Sequence, residues 1–168
     1  KLSKQDIDNV TAFLRSQASG WKQETQVINH IPTPKEYVIN PNNDDPEFIL
    51  NEQGYVTSKQ LYAALQAKKR MVLLDTRVPS VWQTAHIEGS FPLPYYTDLD
   101  KLEKELPKDV QIVAYCSCPR AAADYLTDQL NKRGYSKTLV LWEGIFGWQN
   151  LGYPVSRAEG IDDINETQ

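Results

Sequence analysis

The chain is poor in the residues that staple, ligate or span. Among 168 residues there are 2 cysteines, 2 histidines and 1 methionine. Both cysteines, Cys116 and Cys118, lie in one short loop. A secreted disulfide scaffold spreads its cysteines to close long loops, so a stapled fold is excluded. Structural zinc usually takes four Cys/His ligands and haem attachment takes Cys-x-x-Cys-His, and neither pattern is present, so no metal or cofactor is expected. No apolar run approaches the ~18 residues of a membrane-spanning helix. No signal-peptide pattern is visible, and the start at Lys1 fits a processed chain as well as a trimmed one. A basic excess is missing too: the formal net charge is -4. Nucleic acid and anionic membrane are therefore not expected partners, and Lys68-Lys69-Arg70 reads as a solvated helix end.

What is present is a run of alternating apolar strands and amphipathic helices. Ser3 and Asp6 resemble a capping pattern, after which Ile7, Val10, Phe13 and Leu14 recur at helical spacing up to Gly20. Residues 26–31 and 37–39 are short, β-rich and interrupted by prolines, which predicts extended edge pieces. From Gly54 onward the pattern sharpens. Tyr55-Val56 is extended, and Thr57 or Ser58 caps a helix carrying Leu61, Ala64 and Leu65. Met71 to Leu74 is a continuous apolar strand ending at Asp75. A helix over 78–84, a turn-rich 86–94 segment, a charged helix over 98–106 and a strand over 110–115 follow. Residues 120–133 read as a helix with Ala122, Ala123, Leu126 and Leu130 on one face, and 138–142 as a buried strand. The expectation is an α/β domain with a central, mostly parallel, five-stranded sheet flanked by helices. It divides the chain into an N-terminal helical and extended appendage over 1–53, a domain over 54–156 and an acidic tail over 157–168.

In such sheets ligands bind beyond the carboxyl ends of the strands, and Cys116 stands at one of those ends, opening the loop Cys116-Ser117-Cys118-Pro119-Arg120-Ala121. A thiol must ionise to act as a nucleophile, and a free cysteine with a pKa of about 8.5 is only a few per cent thiolate at neutral pH. The N-terminus of the following helix, the charge of Arg120 and a nest of loop N–H groups would each favour the thiolate. Pro119 removes one such donor. The plainer alternative for Cys116 is a buried inert thiol. Cys118 either fills the loop or resolves an oxidised or persulfidated Cys116, although a Cys-x-Cys disulfide is geometrically tight. Arg120 is otherwise a solvated first-turn residue. Asp75, Arg77, Trp82 and His86 form a candidate pocket rim; the bland readings are a cap or salt bridge for Asp75, a structural turn for His86 and core packing for Trp82.

Residues 55–155 resemble a rhodanese homology domain. The resemblance rests on Leu73-Leu74-Asp75-Thr76-Arg77, on Trp82 followed by His86-Ile87-Glu88-Gly89-Ser90, and on Tyr115-Cys116. Glu143-Gly144 with Trp148, and Gly152-Tyr153-Pro154-Val155, complete it. It implies a sulfurtransferase that passes sulfane sulfur through a persulfide on Cys116. The partners would be a small donor (thiosulfate or polysulfide), a thiol or other nucleophilic acceptor, and a possible protein partner. A common loop of that family has an arginine five positions after the cysteine, where this chain has Ala121. The Cys-x-Cys-Pro form is similar to a bacterial subgroup often attached to exported or membrane-associated chains, which implies an envelope or periplasmic location, with the cytoplasm as alternative. A thiol-disulfide redox protein using Cys116 and Cys118, a non-catalytic binding or sensing module, and a phosphatase remain as competing functions. Against the phosphatase, the position six after Cys116 is Ala122 rather than arginine.

Overall fold

The computed structural model describes residues 36–100, 102–117 and 120–157. The expected N-terminal helix, the 26–31 segment, Cys118, Pro119 and the acidic tail beyond Arg157 lie outside the described residues.

One sheet organises the described chain. Its strands are β1 (Val38–Ile39), β2 (Met71–Asp75), β3 (Ser90–Pro92), β4 (Ile112–Tyr115) and β5 (Thr138–Val140). The order runs β1-β2-β4-β5, with β3 also paired to β2. β2 to β5 are mutually parallel where they pair, and only β1 is antiparallel. One edge of β2 is shared: β1 covers Met71 and Val72, and β3 takes over at Leu73 to Asp75. Among the described residues four α-helices accompany the sheet: α1 (Ser58–Gln66), α2 (Pro79–Thr84) and α3 (Ala121–Lys132) lie between strands, and α4 (Gly144–Asn150) follows β5. This is the five-stranded, mostly parallel sheet flanked by helices that the alternating pattern predicts.

The two faces of the sheet follow from the period of two along its strands. Val72 and Leu74 of β2, with Ile112 and Ala114 of β4, face a core closed by Ala123, Leu126 and Leu130 of α3. Met71, Leu73, Val113 and Tyr115 face the other, closed by Leu61 of α1 and by Ile145 and Trp148 of α4. Because β2 and β4 are buried on both sides, they read as continuous apolar runs. α1 begins on a capping box in which Thr57, rather than Ser58, is the cap and Gln60 returns the hydrogen bond.

Three stretches differ from expectation. The charged helix over 98–106 contracts to a single 3-10 turn, Leu102–Lys104. Asp98 Oδ1 accepts the Asp100 N–H at 3.1 Å, a local turn that competes with helix, and Pro107 stops its continuation. The turn-rich 86–94 segment contains β3, whose ladder ends at Pro92, a residue without an N–H to donate. Finally, the segment after β5 forms α4, which begins at Gly144 and contains Gly147, poor helix formers that hide it from propensity. The smaller shifts are at ends: β4 starts at Ile112 rather than at 110, and α2 starts at Pro79.

Candidate active site around Cys116

Cys116 follows β4 directly and is half-buried, packed against the α3 side of the core. Its backbone is held on both sides. The Tyr115 carbonyl accepts the Thr76 N–H at 2.9 Å and the Thr76 hydroxyl at 3.0 Å, and the Cys116 carbonyl accepts the Ile145 N–H at 3.0 Å. α3 starts a few residues later at Ala121, so its positive N-terminal end lies where the loop enters it.

α4 presses on the loop through Gly144. That residue has φ +60°, and a Cβ there would fall 2.6 Å from the Cys116 carbonyl oxygen and still nearer that of Ser117. Both contacts are to backbone, so only glycine fits without moving the loop. Glu143 anchors the same turn from the other side. Its Oε2 accepts the Ser58 N–H at 2.8 Å and the Ser58 hydroxyl at 2.9 Å, which ties the first turn of α1 to the start of α4. The residues behind the thiol are thus fixed by two helix starts and a strand end.

Arg120 Nη1 donates to the Trp142 carbonyl at 2.9 Å, and its guanidinium lies 3.8 Å from the centroid of the Trp142 ring and 5.0 Å from that of Tyr55. Two aromatic faces and a carbonyl hold it, so it is not the solvated first-turn side chain of the plainer reading. Its Nε is buried with no hydrogen-bond partner among the described residues.

The candidate rim residues come together, but as a closed network rather than an open wall. Asp75 is fully buried, and Arg77 meets it with Nε at 2.8 and 3.1 Å and Nη2 at 2.5 Å. Arg77 Nη2 also donates to the Ala85 carbonyl at 2.7 Å. Burial works against the Arg77 cation, but hydrogen bonds and charge from Asp75 outweigh it and raise its pKa. Trp82 donates to the Ser90 carbonyl at 3.0 Å and stacks on His86, 4.1 Å between centroids, while His86 Nδ1 pairs with the Trp82 carbonyl at 2.8 Å. Burial holds the His86 pKa below its ordinary value. Tyr115 closes the network: its hydroxyl accepts the Ile87 N–H at 3.1 Å and shares a hydrogen bond with Ser90 Oγ at 2.8 Å. Burial raises the Tyr115 pKa well above the phenol range, so the hydroxyl stays neutral. Asp75, Arg77, Trp82 and His86 therefore build the wall behind the strand ends, where a buried ion pair needs a full set of partners.

Thr76 and Tyr115 lie in motifs visible in the sequence and Ser58 is visible there only as a possible cap, whereas Ile145 enters the site with no local signal. Glu143-Gly144 is visible in sequence as a motif, though its grip on Cys116 and Ser117 is not. Among the described residues there is no group of three or more His, Cys, Asp or Glu side chains able to hold a metal. No helix among them is long and apolar enough to cross a membrane.

A parallel α/β sheet with a cysteine opening the loop between its central strand and the next helix defines a class of cysteine-centred α/β domains. Residues 57–151 match the family described as Rhodanese-like domain, and the chain belongs to that family. It is 31% identical to the thiosulfate sulfurtransferase GlpE of Tolumonas auensis, over 58% of this chain and 89% of that one. It is 27% identical to arsenate reductase 2.1 of Oryza sativa, over 62% of this chain and 72% of the relative. Among solved structures, the rhodanese-like domain of an Anabaena protein superposes with a TM-score of 0.58 at 19% identity, covering 68% of this chain and 86% of that domain. Sulfur transfer is thus represented among the relatives of this chain.

Proposed function

We propose that the protein is a sulfur carrier that holds sulfane sulfur as a persulfide on Cys116. The observation that carries this reading is the placement of a half-exposed Cys116 at the end of the central parallel strand, its backbone pinned by Thr76 and Ile145, at the start of the loop into α3. Kinship with a thiosulfate sulfurtransferase supports it. The thiolate attacks the outer sulfur of thiosulfate or a polysulfide; the donor S–S bond breaks, and sulfite or a shortened polysulfide leaves with the electron pair. An acceptor thiolate then attacks the terminal sulfur of the persulfide, and Cys116 leaves as thiolate. Sulfur moves with no net oxidation.

The amides of the first turn of α3 and its dipole supply the positive end that favours both anions on Cys116. Arg120 acts on the shape of the loop, since its guanidinium is committed to Trp142 and Tyr55. Oxyanion reduction is a second reading, favoured by the resemblance to a protein named arsenate reductase. The positions five and six after Cys116 are Ala121 and Ala122, so the loop brings no arginine there to bind the oxyanion. The deciding experiment presents reduced protein with thiosulfate, polysulfide and arsenate, with a thiol as acceptor. Thiol persulfide from a sulfur donor, absent in Cys116→Ser, supports carriage; arsenite formation without persulfide overturns it.

A further inference from the structure

The turn between β5 and α4, residues 142–145, meets the Cys116 loop at both of its described ends. At the entry the Ile145 N–H donates to the Cys116 carbonyl at 3.0 Å, and Gly144 lies against the carbonyls of Cys116 and Ser117. At the exit Arg120 Nη1 donates to the Trp142 carbonyl at 2.9 Å, with the guanidinium carbon 3.8 Å from the centroid of the Trp142 ring. One short turn thus holds the first two residues of the loop and the residue that leads into α3.

The helix has no use for an arginine at that place. Arg120 stands at the N-cap of α3, where Ser, Thr, Asp or Asn would accept a hydrogen bond from the first turn, and its side chain makes no cap bond. A guanidinium has no acceptor, and its charge is set against the positive end of the helix dipole. Its Nε is buried with no hydrogen-bond partner among the described residues, a cost that stacking and the Trp142 carbonyl outweigh. The seat itself is locked. Tyr55 and Trp142 flank a parallel bridge between Val56 and Leu141, and the Trp142 N–H donates to the Val56 carbonyl at 2.8 Å. The two rings lie 5.2 Å apart between centroids, and the guanidinium is 5.0 Å from that of Tyr55. A side chain is held in place best by neighbours that are themselves fixed.

We propose that Trp142 is a positioning residue for sulfur transfer at Cys116: it seats Arg120, and through Arg120 it fixes the exit of the loop whose entry Gly144 and Ile145 fix. This rests on the sulfur-carrier reading. Arg120 then serves the thiol by where it holds the backbone, and not by binding the anionic donor. A misplacement of ~1 Å costs on the order of 100-fold in rate, so releasing one of the two clamps slows transfer about 10-fold.

A double-mutant cycle on Arg120→Met and Trp142→Leu tests it, in a Cys118→Ser parent so that one thiol is followed. Single-turnover sulfur uptake from thiosulfate, or from polysulfide if thiosulfate does not load the parent, is read by intact mass over a range of donor concentrations, well below every melt. Each single variant lowers the maximal rate about 10-fold and leaves the half-saturating donor concentration within about 2-fold of the parent. The double variant is no slower than the slower single, because both changes remove the same contact. Trp142→Phe keeps a ring under the guanidinium and recovers to within about 3-fold of the parent. Should Trp142→Leu fail to fold, Tyr55→Leu opens the seat from its other side, and its cycle with Arg120→Met again falls short of multiplying. Slowing that multiplies to about 100-fold in the double variant, or Trp142→Leu as fast as its parent, overturns the proposal. So does Arg120→Met that raises the half-saturating concentration and spares the maximal rate, which marks Arg120 as a donor-binding cation. A parent that takes up no sulfur from either donor marks failure of the carrier reading alone. The same cycle is then read on alkylation of Cys116 by iodoacetamide, where non-additive effects support the clamp and additive ones overturn it.

Discussion

Replacing Gly144 by alanine tests the packing behind the thiol most sharply, because Gly152 provides a matched control. Both residues have positive φ, +60° and +75°. A side chain in that region costs ~1–2 kcal/mol wherever it stands. At Gly152 nothing lies within 4 Å of the added Cβ, so that strain is the whole effect. At Gly144 the Cβ collides with the carbonyl oxygens of Cys116 and Ser117, backbone atoms that move only if the loop moves. Forcing extra volume into a packed site adds ~1–3 kcal/mol. Gly144→Ala therefore loses about 2–5 kcal/mol against about 1–2 for Gly152→Ala. At ~4 °C per kcal/mol for a domain of this size, the two melting temperatures fall by about 8–20 °C and about 4–8 °C. The displaced loop also misplaces the sulfur, and an error of ~1 Å costs on the order of 100-fold in rate. Differential scanning calorimetry reads the first effect. The rate of Cys116 alkylation by iodoacetamide, in a Cys118→Ser background well below the melt, reads the second, with Gly144→Ala at least 10-fold slow and Gly152→Ala unchanged. Equal melting and equal alkylation of the two variants would refute a close approach of α4 to the loop.

Glu143→Ala leaves the buried Ser58 hydroxyl and N–H without their shared acceptor and costs ~2–3 kcal/mol in urea unfolding, whereas Glu143→Gln keeps an acceptor oxygen and costs ~1 kcal/mol. Tyr115→Phe removes the hydroxyl that accepts from Ile87 and pairs with Ser90 inside the core, and lowers stability by ~1–3 kcal/mol in the same measurement. Burial lowers the His86 pKa in the folded protein, so the unfolded chain takes up the proton first. This contribution is complete above the unfolded value of ~6.5 and is lost as pH falls through the folded value. Urea midpoints at pH 8 and pH 5 differ accordingly, and His86→Gln flattens that window; the lowered Asp45 pKa, held down by hydrogen bonds from Lys137 and Arg70, acts only in the more acidic carboxylate range.

How far the sequence can be read depends on whether the cause of a structure is local. β2 and β4 are visible because they are apolar on both faces, and α3 because Ala123, Leu126 and Leu130 recur on one face. β3 and α4 are not, because the pairing of Ser90–Pro92 with β2 and the contact of Gly144 with the loop are made by residues distant in the chain. The position of Cys116 is legible for the first reason, since it follows an apolar strand and precedes an amphipathic helix. Arg120 shows the second. Its place in the first turn of a helix suggests an anion nearby, but Trp142 and Tyr55, which approach it only in the folded chain, take its guanidinium. Asp75 and Arg77 are adjacent enough to suggest an ion pair, but that the pair is sealed by Ala85 and stands over Tyr115 is a property of the packed sheet.

Sulfur carriage on Cys116 is the central claim, and intact-mass measurement of reduced protein after polysulfide or thiosulfate treatment tests it most directly. One added sulfur is expected on the wild type and on Cys118→Ser, removable by a thiol, with none on Cys116→Ser. Sulfur retained by Cys116→Ser, or absent from the wild type with every donor, would contradict it.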